Sequence, residues 1–215
     1  MKLQTILLLI IICSSCKKVD EVNRSKTLPF YNSEDFTPEW IAKTDKKYSK
    51  IHTIAPFEFF NQNGKKITNK DFEGKIYIAD FFFTTCPSIC PVLAKNMSKI
   101  QEIYKDDDDI MLLSHSVMPW VDTVRKIKEY AAEKNAVDNK WYLVTGDRDK
   151  IYNIARTSYF ADEDFKKTKD ESEFIHTENF VLVDKKGRIR GVYNGTLSLE
   201  VQRLKRHIEL LKKES

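Results

Sequence analysis

The sequence has no apolar run long enough to cross a bilayer, no internal repeat and no dominance of one charge. The apolar stretch near its start, residues 6–12, is about half of the roughly 20 residues that a membrane-spanning helix needs. The 36 basic and 32 acidic residues nearly cancel, leaving a formal charge of +4, and the lysines are spread through every segment. Without a basic arm or stripe, nucleic acid is not an implied partner. Cysteine is scarce: the four fall into two pairs, Cys13 with Cys16 and Cys86 with Cys90. What is present is hydrophobic content of 41% over 215 residues, enough for one sizeable core, which excludes a disordered or collagen-like chain.

The two cysteine pairs read differently. Lys2 precedes the apolar run, which stops at Cys13-Ser14-Ser15-Cys16 and turns polar at Lys17-Lys18. That length is a signal peptide's. The pattern resembles a bacterial lipoprotein signal, which implies cleavage before Cys16 and lipidation of Cys16. An ordinary secretory signal is the alternative, and both readings export the chain. Residues 1–16 are therefore expected to be the signal, the polar residues 17–50 a tether, and residues 51–215 the folded domain. The expected location is the periplasmic side of a bacterial membrane, with attachment through the N-terminal lipid.

Within the domain, strand and helix patterns alternate. Residues 54–60 and 66–68, joined through Asn63-Gly64, read as an entry hairpin. Residues 76–83 form an almost unbroken apolar run, as expected of a strand buried on both faces. Leu93, Met97, Ile100 and Tyr104 then recur at helical spacing. Residues 111–114 and 141–145 read as further strands, and Val124, Ile127 and Ala131 mark a helix that Asp122 or Thr123 can cap. Asp147 can cap the next helix, after which residues 160–175 read as a charged loop. A second hairpin (180–183 and 189–193) and a helix carrying Val201, Leu204, Ile208 and Leu211 close the chain. The pattern predicts an α/β fold with a mixed sheet flanked by helices.

The chemistry concentrates at Cys86-Pro87-Ser88-Ile89-Cys90-Pro91, directly after the central strand. Proline is tolerated in a first helical turn, so this segment opens the first helix, at the sheet edge where ligands bind in open α/β folds. A helix N-terminus favours the thiolate. Two sulfurs so placed can oxidise to a disulfide or clasp one soft ion. A structural disulfide closing so short a loop removes little chain entropy. His176 lies just before the strand at residue 180, at a junction expected to face the cysteine turn. Two thiolates and an imidazole suit copper, the sulfurs favouring Cu(I) and the nitrogen letting Cu(II) be held as well.

Residues 82–91 (Phe-Phe-Thr-Thr-Cys-Pro-Ser-Ile-Cys-Pro), the 119–123 stretch, Leu143-Val144-Thr145-Gly146-Asp147, and His176-Thr177 ahead of Phe180-Val181-Leu182-Val183-Asp184 resemble the Sco/SenC family. The resemblance runs from about residue 54 to the last helix. It implies a thioredoxin-like fold and a copper chaperone, not an enzyme. On it, Cys86, Cys90 and His176 hold one copper per chain, and delivery is to the dinuclear copper centre of cytochrome c oxidase subunit II or another exported acceptor. A periplasmic thiol reductant is a further implied partner, because the thiols must be kept reduced to hold metal. Asp122 matches the second residue of an acidic stretch in the family, whereas Met118 stands at the first, and Trp120 and Val121 replace charged residues.

The alternative is an exported thiol-disulfide oxidoreductase. Asp80 lies six residues before Cys86 inside the apolar strand, an offset resembling the buried carboxylate of thioredoxins, and such a group would have a raised pKa. In that reading Cys86 and Cys90 exchange with a partner disulfide and Asp80 moves the proton. A thiol peroxidase would need a donor beside Cys86, and no basic residue is close in sequence. His115 and Met118 are candidate auxiliary ligands. His52 and His207 read as surface residues, and Trp120 as either a docking contact or a core residue.

Overall fold

Alternation of side-chain direction along the strands decides which groups meet in this protein. The computed structural model describes residues 26–162 and 175–214. In chain order the elements are β1 (Phe30–Tyr31), β2 (Pro38–Glu39), β3 (Glu58–Asn61), β4 (Lys66–Thr68), β5 (Ile76–Phe82), α1 (Ile89–Ile103), β6 (Ile110–Ser116), α2 (Val124–Glu133), β7 (Trp141–Thr145), α3 (Arg148–Thr157), β8 (Asn179–Val183), β9 (Ile189–Asn194) and α4 (Ser198–Glu214). One sheet has the order β4-β3-β7-β6-β5-β8-β9, and β1 and β2 form a separate two-stranded ribbon. At the centre β5, β6 and β7 run parallel, while β3 and β8 join antiparallel on either side. The mixed sheet and the entry hairpin, now β3–β4, agree with the sequence pattern.

Every residue of β5, β6 and β7 is buried, as strands covered on both faces must be. Ile76, Ile78, Phe82, Ile110, Leu112, Trp141 and Leu143 pack under α1, α2 and α4. Their odd-even neighbours Tyr77, Ala79, Phe81, Met111, Leu113, Tyr142 and Val144 pack under α3 and the entry hairpin. The period of two therefore assigns Asp80 and Ser114 to the α1 side and His115 to the α3 side. The β5–β8 register, Ala79 opposite Val181, directs the segment before β8 to the C-terminal end of β5, where the chain enters the cysteine turn.

The expected tether, residues 17–50, is corrected from residue 28 onward. Residues 17–25 lie outside the described residues, but from residue 28 onward the chain is docked on the domain. Leu28, Phe30 and Ile41 are buried. Buried Arg190 donates to the carbonyls of Leu28 (2.6 Å) and Pro29 (3.0 Å) and pairs with Glu214 at 2.6 Å. The Leu28 N–H in turn donates to Glu214, and the guanidinium of Arg190 lies 4.2 Å from the Phe30 ring centroid. A few apolar residues in a polar stretch are thus held by cation–π and hydrogen-bond contacts, which composition does not register. His52 is likewise packed, its Nε2 2.8 Å from the Ser158 carbonyl, and half-buried His207 meets the Tyr193 hydroxyl at 2.8 Å.

Removing one partner of a buried ion pair costs about 3–5 kcal/mol. Arg190→Ala is expected to lower stability on that order and to speed amide exchange at residues 28–31 in hydrogen-exchange mass spectrometry. Unchanged exchange there would show that the segment docks without Arg190.

Candidate metal and thiol site

The site begins with a helix that has no side-chain cap. Ser88 occupies the position before α1 without capping it, which leaves first-turn amides to find other acceptors. The Cys86 sulfur supplies one, accepting from Cys90 N–H at 3.5 Å. Burial works against ionisation of Cys86, but the N–H groups of Cys90, Ser88 and Ile89 outweigh it and bring its pKa below the ordinary thiol value. Cys90 goes the other way. Burial, reinforced by Cys86 and Asp80, pushes it up to about 12. Both cysteines are buried and free, not joined in a disulfide, so the pair consists of one acidic and one reluctant thiol.

The turn is pinned from below by Asp122. Its carboxylate is fully buried and accepts from Thr84 Oγ1 (2.6 Å), Thr84 N–H (3.1 Å) and Ser116 Oγ (2.6 Å). Asp122 thus holds the chain two residues before Cys86 against the end of β6. Of the two caps the sequence offers for α2, Thr123 is the one used, accepting from Lys126 N–H. The neighbouring Trp120 is exposed, with Arg148 6.0 Å from its ring centroid.

His176 is exposed, on the segment just before β8. That segment is tied to the cysteine helix through Gly195, whose N–H donates to the Glu178 carbonyl at 2.7 Å and whose carbonyl accepts from Asn96 of α1 at 2.7 Å. A Cβ at position 195 would come within 2.7 Å of Leu93 and 2.8 Å of Phe180, so only glycine lets these elements close. The structure therefore brings Cys86 and Cys90 together and sets His176 at the same end of the sheet. Among the described residues, no three His, Cys, Asp or Glu side chains already converge tightly enough to hold a metal ion. Cys16 lies outside the described residues.

Asp80 is buried, as the sequence implied, and sits on the cysteine side of the sheet. Ser114 Oγ–H donates to it, and Ser114 accepts from Trp141 Nε1–H at 2.8 Å. Burial pushes the Asp80 carboxyl up to about 7 in spite of the Ser114 hydrogen bond. Neither Ser114 nor Trp141 stood out in the sequence. A serine inside an apolar strand beside a buried tryptophan is a signal for such a relay only once the register is known. His115 is not an auxiliary ligand: it lies on the opposite face, ringed by Phe57, Phe59, Phe81 and Tyr159. Burial there pushes its pKa down to about 3, and neither ring nitrogen has a hydrogen-bond partner. Met118 is half-buried in the loop after β6, and its carbonyl accepts from the N–H groups of Val121 and Asp122. A cavity of about 580 Å³ lies at the far end of the sheet, between residues 27–48 and the β8–β9 turn. Its buried Asp184, Arg188 and Arg190 and half-buried Glu214 pair with one another.

The SCO1/SenC family model matches residues 45–210. A SCO1 protein homolog of Bacillus subtilis (strain 168) is 32% identical over 149 residues, which are 67% of this chain and 75% of that protein. Three solved structures share 28% identity. A SCO1/SenC family lipoprotein from Bacillus anthracis str. Ames has a TM-score of 0.65, covering 75% of this chain and 95% of that one. BsSco, described by a disulfide switch and as a member of the Sco family of cytochrome c oxidase assembly proteins, gives 0.63 with coverage of 75% and 95%. ScoI of Bradyrhizobium japonicum with copper bound gives 0.56 with coverage of 72% and 99%. The fold is the thioredoxin-like arrangement of these structures.

Asp80 carries a pH prediction. Its folded-state pKa, about 7, lies above the unfolded value of about 4. Its contribution to stability is therefore full below about pH 4 and is lost as pH rises through about 7, a change on the order of 4 kcal/mol. In urea unfolding of the metal-free reduced protein, wild type is expected to lose stability relative to Asp80→Asn across that window. Parallel pH profiles for the two proteins would contradict the buried, raised carboxyl.

Proposed function

Because the chain belongs to the SCO1/SenC family and carries two thiols of unequal acidity at one helix N-terminus, we propose that it is an exported copper metallochaperone. The observation that carries this reading is the sulfur pair itself: backbone amides lower the pKa of Cys86, and Cys90 stands one helical turn on. Such a pair is preformed for a soft ion. His176, on the segment linked to α1 through Gly195 and Asn96, supplies the third ligand by turning toward the sulfurs when the ion arrives. One copper per chain is held in this way, as Cu(I) by the two thiolates or as Cu(II) with the imidazole. The cargo leaves by exchange of these ligands for those of the acceptor, and no substrate is turned over.

The acceptor in this proposal is the dinuclear copper centre of cytochrome c oxidase subunit II, or another exported copper protein of the same chemistry. Support comes from the family's link to oxidase assembly in BsSco and from the copper-bound ScoI. The chain is anchored to a bacterial membrane through lipid on Cys16, facing the periplasm, and a periplasmic reductant returns an oxidised pair to thiols. The signal-like first sixteen residues and the lipoprotein from Bacillus anthracis support that location.

A second reading, thiol-disulfide exchange with partner cysteines, is favoured by one observation. Asp80 is buried on the thiol side of the sheet, with its carboxyl raised to about 7 and its charge acting on Cys90. A group titrating there can exchange a proton with the resolving thiol. The two readings share both cysteines and differ in their need for His176 and Asp80.

The deciding experiment loads the reduced protein with each oxidation state separately. Wild type is expected to hold close to one copper. His176→Ala should weaken Cu(II) binding more than Cu(I) binding, and Cys86→Ser or Cys90→Ser should abolish tight binding of both. Equal binding of both ions by His176→Ala and wild type would remove His176 from the site and favour the exchange reading.

A further inference from the structure

The end of the sheet remote from the thiols holds the cavity of about 580 Å³, bounded by residues 27–48, the β8–β9 turn and the end of α4. Folded interiors are close-packed and keep few voids larger than a water molecule, whereas ligand sites run from about 300 to 1,000 Å³. The walls of this cavity are fixed. Arg190 ties the carbonyls of Leu28 and Pro29 to Glu214 on α4, and Arg188 is locked to Asp184 at 2.7 Å. Loose docking of the N-terminal segment therefore does not account for the space.

The lining joins two chemistries. Leu28, Ile41, Ala42 and Leu211 form an aliphatic wall. The two rings of the lining, Phe30 and Tyr48, are already covered by cations: Arg190 and Arg188 lie 4.2 and 4.8 Å from the Phe30 centroid, and Arg188 and Lys186 lie 5.1 and 6.0 Å from that of Tyr48. An alkyl chain suits what remains better than an aromatic ring. The charges of the lining do not cancel. Among the described residues its carboxylates are Asp184 and Glu214, and both are taken up by Arg188 and Arg190. Lys185 is paired with Asp109 at 2.7 Å. Lys43 and Lys186, the exposed lysines of the rim, are left without a carboxylate partner among the described residues.

We propose that this cavity binds a single-chain anionic amphiphile, its alkyl tail against Leu28, Ile41, Ala42 and Leu211 and its carboxylate or phosphate head at Lys43 and Lys186. Burial of the tail supplies affinity, and the two ammonium groups select the sign of the head. The site shares no residue with the thiol end of the sheet, so it stands apart from the copper reading and neither depends on the other.

The test holds the full reduced chain, carbon-13-labelled at its isoleucine methyl groups, in phosphatidylcholine nanodiscs and titrates it with hexyl phosphate. The Ile41 signal should shift saturably, with a Kd of about 1 mM or tighter. Hexanol, which lacks the charge, and inorganic phosphate, which lacks the tail, should each bind about tenfold more weakly or worse. Lys43→Glu combined with Lys186→Glu should weaken hexyl phosphate by about tenfold or more and leave hexanol unchanged. Ala42→Trp, which fills the wall, should weaken both. Nanodiscs doped with lysophosphatidate separate the two sources of such a ligand: an Ile41 shift without added probe marks a membrane lipid, and hexyl phosphate binding without that shift marks a soluble amphiphile. An unmoved Ile41 signal, hexanol as tight as hexyl phosphate, or full hexyl phosphate affinity in the charge-reversed protein would overturn the proposal. Should Ala42→Trp fail to fold, the exposed lysine pair still decides. Copper uptake, measured alongside, is expected to be the same in every folded variant.

Discussion

The site depends on one substitution of partners: a cysteine sulfur takes the role that a Ser, Thr, Asp or Asn side chain usually takes at a helix start. With Ser88 leaving α1 uncapped, the first-turn amides converge on Cys86. The helix gains an acceptor, and the thiol gains acidity, from the same contacts. Cys90, in the first turn of the same helix, is carried inward onto the sheet, where burial holds its proton. One helix start thus generates two sulfurs of different character, and it needs only that the turn from β5 be held still.

Much of the surrounding structure serves that need. Asp122 grips Thr84 and Ser116 together, so the end of β6 sets the height at which the cysteine turn leaves β5. Asn96 and Gly195 tie the helix to the segment that carries His176. On the far side of the sheet His115 sits in an aromatic box with no polar contact, separated from the thiols by the sheet itself. The polar groups that do face the thiols, Asp80 and Ser114 with Trp141 behind them, form a single chain of hydrogen bonds. A buried carboxyl raised to about 7 is only partly ionised at neutral pH, so it acts on the sulfurs less strongly than an ordinary carboxylate would.

The sheet and its helices were legible because each signal was local. The apolar run of β5 needed no partner to be read, and Leu93, Met97 and Ile100 marked α1 by spacing alone. Cys86 and Cys90 stood out because Pro91 fixed the helix start. The misread parts depend on contacts between distant residues. Leu28 and Phe30 are docked by Arg190, some 160 positions away, and no window of sequence contains both. Asp122 is by sequence one of two candidate caps for α2, and only its bond to the distant Thr84 shows that it serves the cysteine turn instead. His115 and Ser114 are neighbours on opposite faces, and only the parity of β6 against β5 tells which one meets the cysteines.

The central claim is that Cys86, Cys90 and His176 hold one copper ion together, although His176 is exposed in the metal-free protein. X-ray absorption at the copper edge of the stoichiometrically loaded Cu(II) protein tests it most directly, because scattering by sulfur and by an imidazole ring is distinguishable within one spectrum. The account predicts a first shell containing two sulfurs, with imidazole outer-shell scattering that disappears in His176→Ala. A shell with fewer than two sulfurs, or imidazole scattering that persists in His176→Ala, would contradict it.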